Sequence, residues 1–144
     1  MDINNLILSN NDLAVKDILK LNQETEKYGL KLSEKQIIDL INNKNDNLHE
    51  KGRIEVSGGV LEKIIYEFYD SSYIDKTNYT QILKELTNVF YLYQSELDNK
   101  LTDEQIITYM KNNFENISNG SIEILESLCL ETLKEKLNRG LYYE

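Results

Sequence analysis

The sequence predicts an all-α fold, with about six amphipathic helices around one core in a single domain over residues 1–144. Three observations predict it. Apolar side chains recur at spacings of three and four along most of the chain, which is the period of one helix face. Residues that cap helices precede several of these stretches. One short stretch, residues 53–57, instead alternates with period two and predicts a short extended segment.

The first helix is predicted to begin near Asn11 or Asp12, because either side chain can cap a helix N-terminus. Gly29 lies where a residue just past the C-terminus is expected. The face that we expect to be buried consists of Ala14, Ile18, Leu21, Thr25 and Tyr28.

The second helix has a clear start, because Ser33 and Gln36 match a capping box. The polar run at residues 42–47 weakens the helical pattern, but Leu48 continues the apolar stripe. We therefore expect this helix to extend to about residue 50.

Residues 53–57 follow Gly52 and place Ile54 and Val56 between polar neighbours. This alternation is typical of a half-buried strand, but the chain offers only weak pairing partners, such as residues 3–8. One interpretation is an extended connector with one or two backbone pairs. The other is an edge that accepts a strand from another protein.

Gly58 and Gly59 permit a sharp turn into a third helix, which is the most hydrophobic and is expected at the centre of the core. A turn through residues 70–72 then leads to a long fourth helix near residues 78–97. The buried face of the third helix is predicted to be Val60, Leu61, Ile64, Ile65 and Phe68. The main stripe of the fourth is predicted to be Tyr79, Ile82, Leu86, Val89, Tyr93 and Leu97.

The fifth helix begins at a second capping box, formed by Thr102 and Gln105. It is expected to end at residues 119–120, where Ser121 can cap the sixth helix. The apolar face of the fifth helix is Ile106, Ile107, Met110, Phe114 and Ile117. That of the sixth is Ile122, Leu125, Leu128, Cys129, Leu133 and Leu137.

Two eleven-residue segments, 31–41 and 100–110, align without gaps around these capping boxes. They indicate either a duplicated two-helix unit or two independent solutions to starting an amphipathic helix.

Composition argues against several classes of partner. The net charge is −9 and the pI is near 4.7, so the overall field repels a phosphate backbone and we expect no nucleic acid partner. The N-terminus lacks the basic and apolar regions of a signal peptide, and no stretch approaches the ~20 apolar residues that span a bilayer. We expect a cytoplasmic protein without a membrane partner.

Residues with catalytic chemistry are sparse. Cys129 and His49 are the sole cysteine and histidine, so a disulfide within the chain is impossible and a Cys–His pair depends on whether these two meet. Cys129 lies on an apolar stripe and is expected to be a buried thiol. The pair of Asp46 and His49 lacks the second histidine of a di-iron site. We therefore predict no catalytic residue, no metal site and no cofactor.

One candidate binding site is for a small anion. Gly58 and Gly59 precede a helix N-terminus, whose N–H groups attract anions, and Arg53 could add a guanidinium fork. The stretch matches neither phosphate-loop motif. A purely structural turn, with Arg53 paired to Glu55 or to a helix carbonyl, is the alternative.

The tyrosines suggest a second candidate site. Six fall within residues 66–93, and exposed tyrosine is frequent at protein interfaces. Packing inside the protein, with satisfied hydroxyl groups, is the alternative. The expected interaction surface consists of Tyr66, Tyr69, Tyr73 and Tyr91.

The segments GRIEVSGG, FYDSSYI, VFYLYQSE, KLTDEQIITYM and ILESLCLE occur in an order that resembles an uncharacterised family of small acidic proteins. That family is typical of low-GC Gram-positive bacteria, and the resemblance covers about residues 13–137. It implies a bacterial cytoplasmic protein and supplies no functional residues.

The function that we favour from the sequence is a non-enzymatic interaction module, such as an adaptor or regulator. Its partner would be another protein or a second copy of the chain. The alternative is a small-anion or small-molecule binding protein or enzyme that uses Arg53 and the Gly58-Gly59 turn.

Overall fold

Six helices run through the computed structural model, which describes residues 3–55 and 58–140, with side chains from residue 11 onward. Within these ranges no strand occurs, so the all-α prediction is confirmed. The first five helices are α1 (Ile3–Thr25), α2 (Glu34–Lys51), α3 (Gly59–Phe68), α4 (Tyr79–Leu97) and α5 (Asp103–Asn116). The sixth comprises an α-helical turn (Ile122–Ile124), a π-helical turn (Leu125–Cys129) and a final α-helix (Leu130–Asn138). We refer to residues 122–138 together as α6.

Helix α1 begins at Ile3, not near Asn11 or Asp12 as the sequence predicted. Asn and Asp cost only a few tenths of a kcal/mol inside a helix, so a capping residue does not by itself start one. After Thr25 the chain tightens into a 3₁₀ turn, Glu26–Tyr28. That tighter winding turns Tyr28 away from the predicted face and leaves it exposed.

Two buried polar residues of α1 hold the turn into α2. The Asn22 amide group donates to the Leu32 carbonyl and accepts from the Leu32 N–H, each at 2.9 Å. The Thr25 hydroxyl donates to the Leu30 carbonyl at 2.7 Å. These bonds satisfy the backbone of a loop that is buried at Leu30 and Leu32.

Both predicted capping boxes are present. The Ser33 hydroxyl accepts from the Gln36 N–H and the Gln36 side chain accepts from the Ser33 N–H, at the start of α2. Thr102 and Gln105 form the same pair at the start of α5. Helix α2 ends at Lys51, one residue beyond the expected end, and Gly52 follows in a left-handed conformation with φ +63°.

The central helix is α4 rather than α3. Helix α4 packs against α2, α3, α5 and α6, so most of its circumference is buried and one stripe, which includes Gln81, Lys84 and Asn88, stays exposed. Helix α3 buries its predicted apolar face but leaves its other face outward. The enclosure of α4 corrects the prediction for Tyr91, which is completely buried instead of lying on an interaction surface.

The connector between α2 and α3 does not contain the predicted strand at residues 53–55, and Val56 and Ser57 lie outside the described residues. The burial pattern is also the reverse of the expected one. Ile54 is 91% exposed, whereas Glu55 is 9% exposed. Residues 3–8, the suggested pairing partner, belong to α1.

The π-helical turn changes which side chains of α6 face the core. Helix α5 ends at Asn116, which leaves Ile117 exposed, and Ser121 caps α6 as predicted. A π-helical turn holds an extra residue, so the apolar stripe shifts. Leu130 is buried, whereas Leu128, predicted to be buried, is 58% exposed. Residues 141–144 lie outside the described residues.

Candidate functional site

Glu55 is the centre of a buried ionic cluster between the connector, α2, α3 and α4. Its Oε2 atom accepts from the Tyr91 hydroxyl at 2.7 Å and lies 3.0 Å from Nε of Arg53. Its Oε1 atom accepts from the Val60 N–H at 3.0 Å and lies 3.9 Å from Nζ of Lys44. Both carboxylate oxygens are thus met by donors or cations, which is what a buried carboxylate requires.

The glycine turn shapes the space for this carboxylate. Gly59 has φ +55°, and a Cβ atom there would collide with Oε1 of Glu55. The Gly58 carbonyl accepts from Lys44 Nζ at 3.4 Å. Burial lowers the pKa of Lys44, and the attraction of Glu55 and Glu62 opposes that effect only in part.

Arg53 ties the connector to α5. Its guanidinium group forms a two-bond fork to the carboxylate of Asp103, in the first turn of α5, and lies 5.9 Å from the ring centre of Phe90. The hydrogen bond to Asp103 is the main reason that the pKa of Arg53 is raised. Arg53 is therefore held between two carboxylates, those of Asp103 and Glu55.

The structure brings together Arg53, Gly58 and Gly59, the residues predicted to bind an anion. The anion that it places at the start of α3 is the carboxylate of Glu55. The pairing of Arg53 with Glu55, which the sequence offered as the structural alternative, is present, but the burial of Glu55 was missed because the alternating pattern assigned it to an exposed face. The sequence reasoning also missed Lys44, although a signal was present: Lys44 continues the buried stripe of α2, at a spacing of three or four from its buried neighbours Ile41 and Leu48.

The tyrosines predicted to form one surface occupy three different places. Tyr66 is 63% exposed and Tyr69 is partly buried, with their ring centres 6.3 Å apart. Tyr28 extends this patch, because its ring lies 5.2 Å from that of Tyr69. Tyr73 packs elsewhere, on Phe114 and against Gly120. Tyr91 is buried, as described above.

A groove of about 650 Å³ runs along the outward face of α3, beside this patch. Five residues of α3, spaced as one helical stripe, form its floor. One wall is Leu21 of α1 and the other belongs to α5. The lining residues are Leu21, Gly59, Glu62, Lys63, Tyr66, Glu67, Glu104, Ile107 and Thr108. We call this cavity the α3 groove.

The α3 groove carries more negative than positive charge. Lys63 is paired with Glu104 across the groove, with a nitrogen–oxygen distance of 2.6 Å. This hydrogen bond raises the pKa of Lys63 and lowers the pKa of Glu104. Burial raises the pKa of Glu62, and Asp17 of α1 adds to the effect. The groove therefore combines the apolar side chains of Leu21, Tyr66 and Ile107 with a carboxyl group, that of Glu62, whose charged form is disfavoured.

Comparison with known protein families gives one match. A model of a family of unknown function, DUF6323, matches residues 17–142. The chain belongs to the DUF6323 family. The expected membership of an uncharacterised family is confirmed to that extent. The search of curated proteins and the search of solved structures each returned no match.

In this DUF6323 chain, His49 and Cys129 have different surroundings. His49 is exposed in the last turn of α2. Cys129 is buried in α6, and burial raises the pKa of its thiol, which disfavours the reactive thiolate. Among the described residues, no group of three or more metal-ligating side chains occurs. None of the helices in the described ranges has the length and apolar character to cross a bilayer.

Proposed function

We propose that this DUF6323 chain is a non-enzymatic interaction module, an adaptor or regulator, that binds another protein through the α3 groove and the adjoining tyrosine patch. The observation that carries the proposal is the exposure of Tyr66, a large aromatic residue on the floor of a groove that is lined by both apolar and charged side chains. Tyrosine buries much area on binding at a small cost in side-chain entropy, which is why it is enriched at interfaces.

The non-enzymatic part of the proposal has its own support. The only cysteine of the sequence is buried, and its thiol is disfavoured as a nucleophile. The cluster around Glu55 is enclosed, with Arg53 and Tyr91 already bonded to the carboxylate. These groups hold the fold together, so we assign them a structural role.

The alternative of a small-anion site at Arg53 and the Gly58-Gly59 turn is less well supported. A phosphate or carboxylate ligand would have to displace Glu55 from the Val60 N–H and from Arg53. Leaving Glu55 buried without these partners would cost several kcal/mol, on the order of 3–5. We therefore favour the groove.

The origin of the protein, its compartment and its classes of partner are also proposals. We infer a bacterial, cytoplasmic protein with neither nucleic acid nor membrane as a partner. The resemblance described above supports the bacterial origin. The net charge of −9 supports the exclusion of nucleic acid.

Photo-crosslinking tests the proposal. A photoreactive phenylalanine analogue would replace Tyr66 in one variant and Leu128, which is similarly exposed on α6, in a matched control. Irradiation in an extract of the native host should give one discrete protein adduct at position 66. Added unlabelled wild-type protein should compete for the adduct, and Tyr66→Ala should not. No adduct, or the same adducts at both positions, would contradict the proposal.

A further inference from the structure

We infer that the occupant of the α3 groove is a basic, amphipathic helical segment of another protein, with a single large apolar residue as its anchor. This inference rests on the proposed function and specifies its partner. It is carried by the shape of the groove, by the order of its apolar and acidic residues, and by the charge of the chain.

The shape of the groove fits a helix. Its floor is the stripe of α3 at positions 59, 62, 63, 66 and 67, and the walls come from α1 and α5 on either side. From Gly59 to Glu67 this floor is about 12 Å long, which equals roughly two turns of a helix. A channel flanked by two helices is the arrangement that accepts an amphipathic helix, with anchor residues on one of its faces.

The apolar residues of the groove point to one anchor. Tyr66 is on the floor, with Leu21 and Ile107 in opposite walls. Ile107 is already largely buried by the fold, whereas Tyr66 is mostly exposed. A leucine or phenylalanine between these walls would cover Tyr66, and covering an exposed aromatic ring favours binding.

The charges of the groove require a basic partner. Three carboxylates, Glu62, Glu67 and Glu104, line the groove together with Lys63. Lys63 is paired with Glu104. Among the described residues, Glu62 and Glu67 have no side-chain ion pair within 4.0 Å. Lysine or arginine side chains on the partner could pair with both.

The surroundings of Glu62 favour a cation from the partner at this position. Its neighbours are Asp17 and Lys20 of α1 and Lys44 of α2, and burial together with Asp17 disfavours its charged form. A cation brought by a partner would relieve that penalty. A second copy of this chain is a poor source of the cation, because two copies carry −9 each and repel one another.

Fluorescence anisotropy with synthetic peptides tests the inference. The probe is a labelled 14-residue helix-forming peptide with one central leucine as its anchor and lysines on either side of it, and the control peptide has glutamates in place of the lysines. The lysine peptide should bind at least ~10-fold more tightly to the full chain at about 0.1 M salt. The double variant E62Q and E67Q should weaken its binding by about 5–10-fold. Tyr66→Ala should weaken it by a similar factor.

A matched charge control separates the groove from the net charge. Glu123 and Glu126 lie in α6 and do not line the groove, and their replacement by glutamine removes the same two charges. This variant should change binding by less than about 2-fold, since long-range attraction is largely screened. Equal weakening by both double variants would overturn the inference, and so would equal binding of the two peptides.

Failure of the inference differs from failure of the proposed function. If the peptides bind equally or not at all while position 66 still gives its competed adduct, a protein partner exists but is not a basic helix. Sedimentation velocity provides the other check. Reversible dimers that Tyr66→Ala abolishes would identify a second copy as the occupant and overturn the inference.

Discussion

The hydroxyl of Tyr91 donates a hydrogen bond of 2.7 Å to Oε2 of Glu55, and both side chains are buried. This bond joins the centre of α4 to the connector before α3. Burial raises the pKa of Tyr91, and the negative charge of Glu55 and this hydrogen bond add to the effect. The pair therefore links the chain's central helix to the turn that begins the groove-bearing helix.

Removing the Tyr91 hydroxyl should destabilise the fold. Tyr91→Phe leaves the ring in place but takes a donor from a buried carboxylate, which costs about 1.5–3 kcal/mol. Tyr66→Phe is the control, because Tyr66 is exposed, and it should change stability by less than about 0.5 kcal/mol. Urea unfolding followed by circular dichroism measures both. Equal stabilities of the two variants would show that Glu55 does not depend on Tyr91.

Gly59 should be much less tolerant of a side chain than Gly52. Both have positive φ, so replacement by alanine costs each about 1–2 kcal/mol in backbone strain. At Gly52 a Cβ atom meets nothing within 4 Å, whereas at Gly59 it would collide with the Glu55 carboxylate. Gly59→Ala should therefore cost about 3–5 kcal/mol, the range for breaking a buried ionic cluster.

The same urea experiment measures this pair, and a double variant identifies the cause. Glu55→Ala alone also destabilises the cluster, but the double variant should cost clearly less than the sum of the two single changes, because the carboxylate that collides with the new side chain is gone. Equal losses in the free energy of unfolding for Gly52→Ala and Gly59→Ala would contradict the close packing of Glu55 against the turn.

The π-helical turn predicts which leucines of α6 matter for stability. Leu125→Ala should cost about 2–5 kcal/mol, since Leu125 is completely buried. Leu128→Ala should cost less than about 0.5 kcal/mol, because Leu128 is largely exposed. Thermal unfolding of the two variants, each compared with the wild-type protein, measures this difference in stability. A regular α-helix through this region is indicated instead if Leu128→Ala is the more damaging.

Lys44 should make stability rise with pH in the alkaline range. Burial lowers its pKa in the folded protein below the ordinary 10.5. Between the lowered value and 10.5 the unfolded chain binds more protons than the folded one, so the free energy of unfolding increases as pH rises through that window. Lys44→Met should remove this rise when urea unfolding is compared from about pH 7 to about pH 9.5.

Comparing the wild-type protein with Lys44→Met also cancels the contributions of other titratable groups to the pH dependence of stability. The pKa of Cys129 is raised, so Cys129 contributes in the opposite direction, and it does so equally in both proteins. If the two proteins show the same pH dependence, Lys44 keeps its ordinary pKa and the burial described here is incorrect.

The sequence predicts those features of the fold that depend on residues close together along the chain. Capping boxes such as Ser33 and Gln36 involve residues three apart, and both formed as predicted.

What could not be predicted depends on contacts between distant segments. Glu55 is buried because Lys44 and Tyr91 arrive from two other helices. The π-helical turn has a similar origin. The hydroxyl groups of Tyr93 and Tyr109 donate to the carbonyls of Leu125 and Cys129, at 2.5 and 2.6 Å, which are the two ends of that turn. Periodicity within α6 contains no information about these partners.

The chain's own Glu55 fills the position at Arg53 and the Gly58-Gly59 turn where the sequence predicted a bound anion, and for this reason we propose the α3 groove as the functional surface. A thermal-shift titration with phosphate, citrate and nucleotides tests this claim most directly, with Arg53→Ala as the control. We predict no saturable rise in Tm for the wild-type protein with any of these anions. A saturable rise that Arg53→Ala abolishes would contradict the claim and support a small-anion binding protein instead.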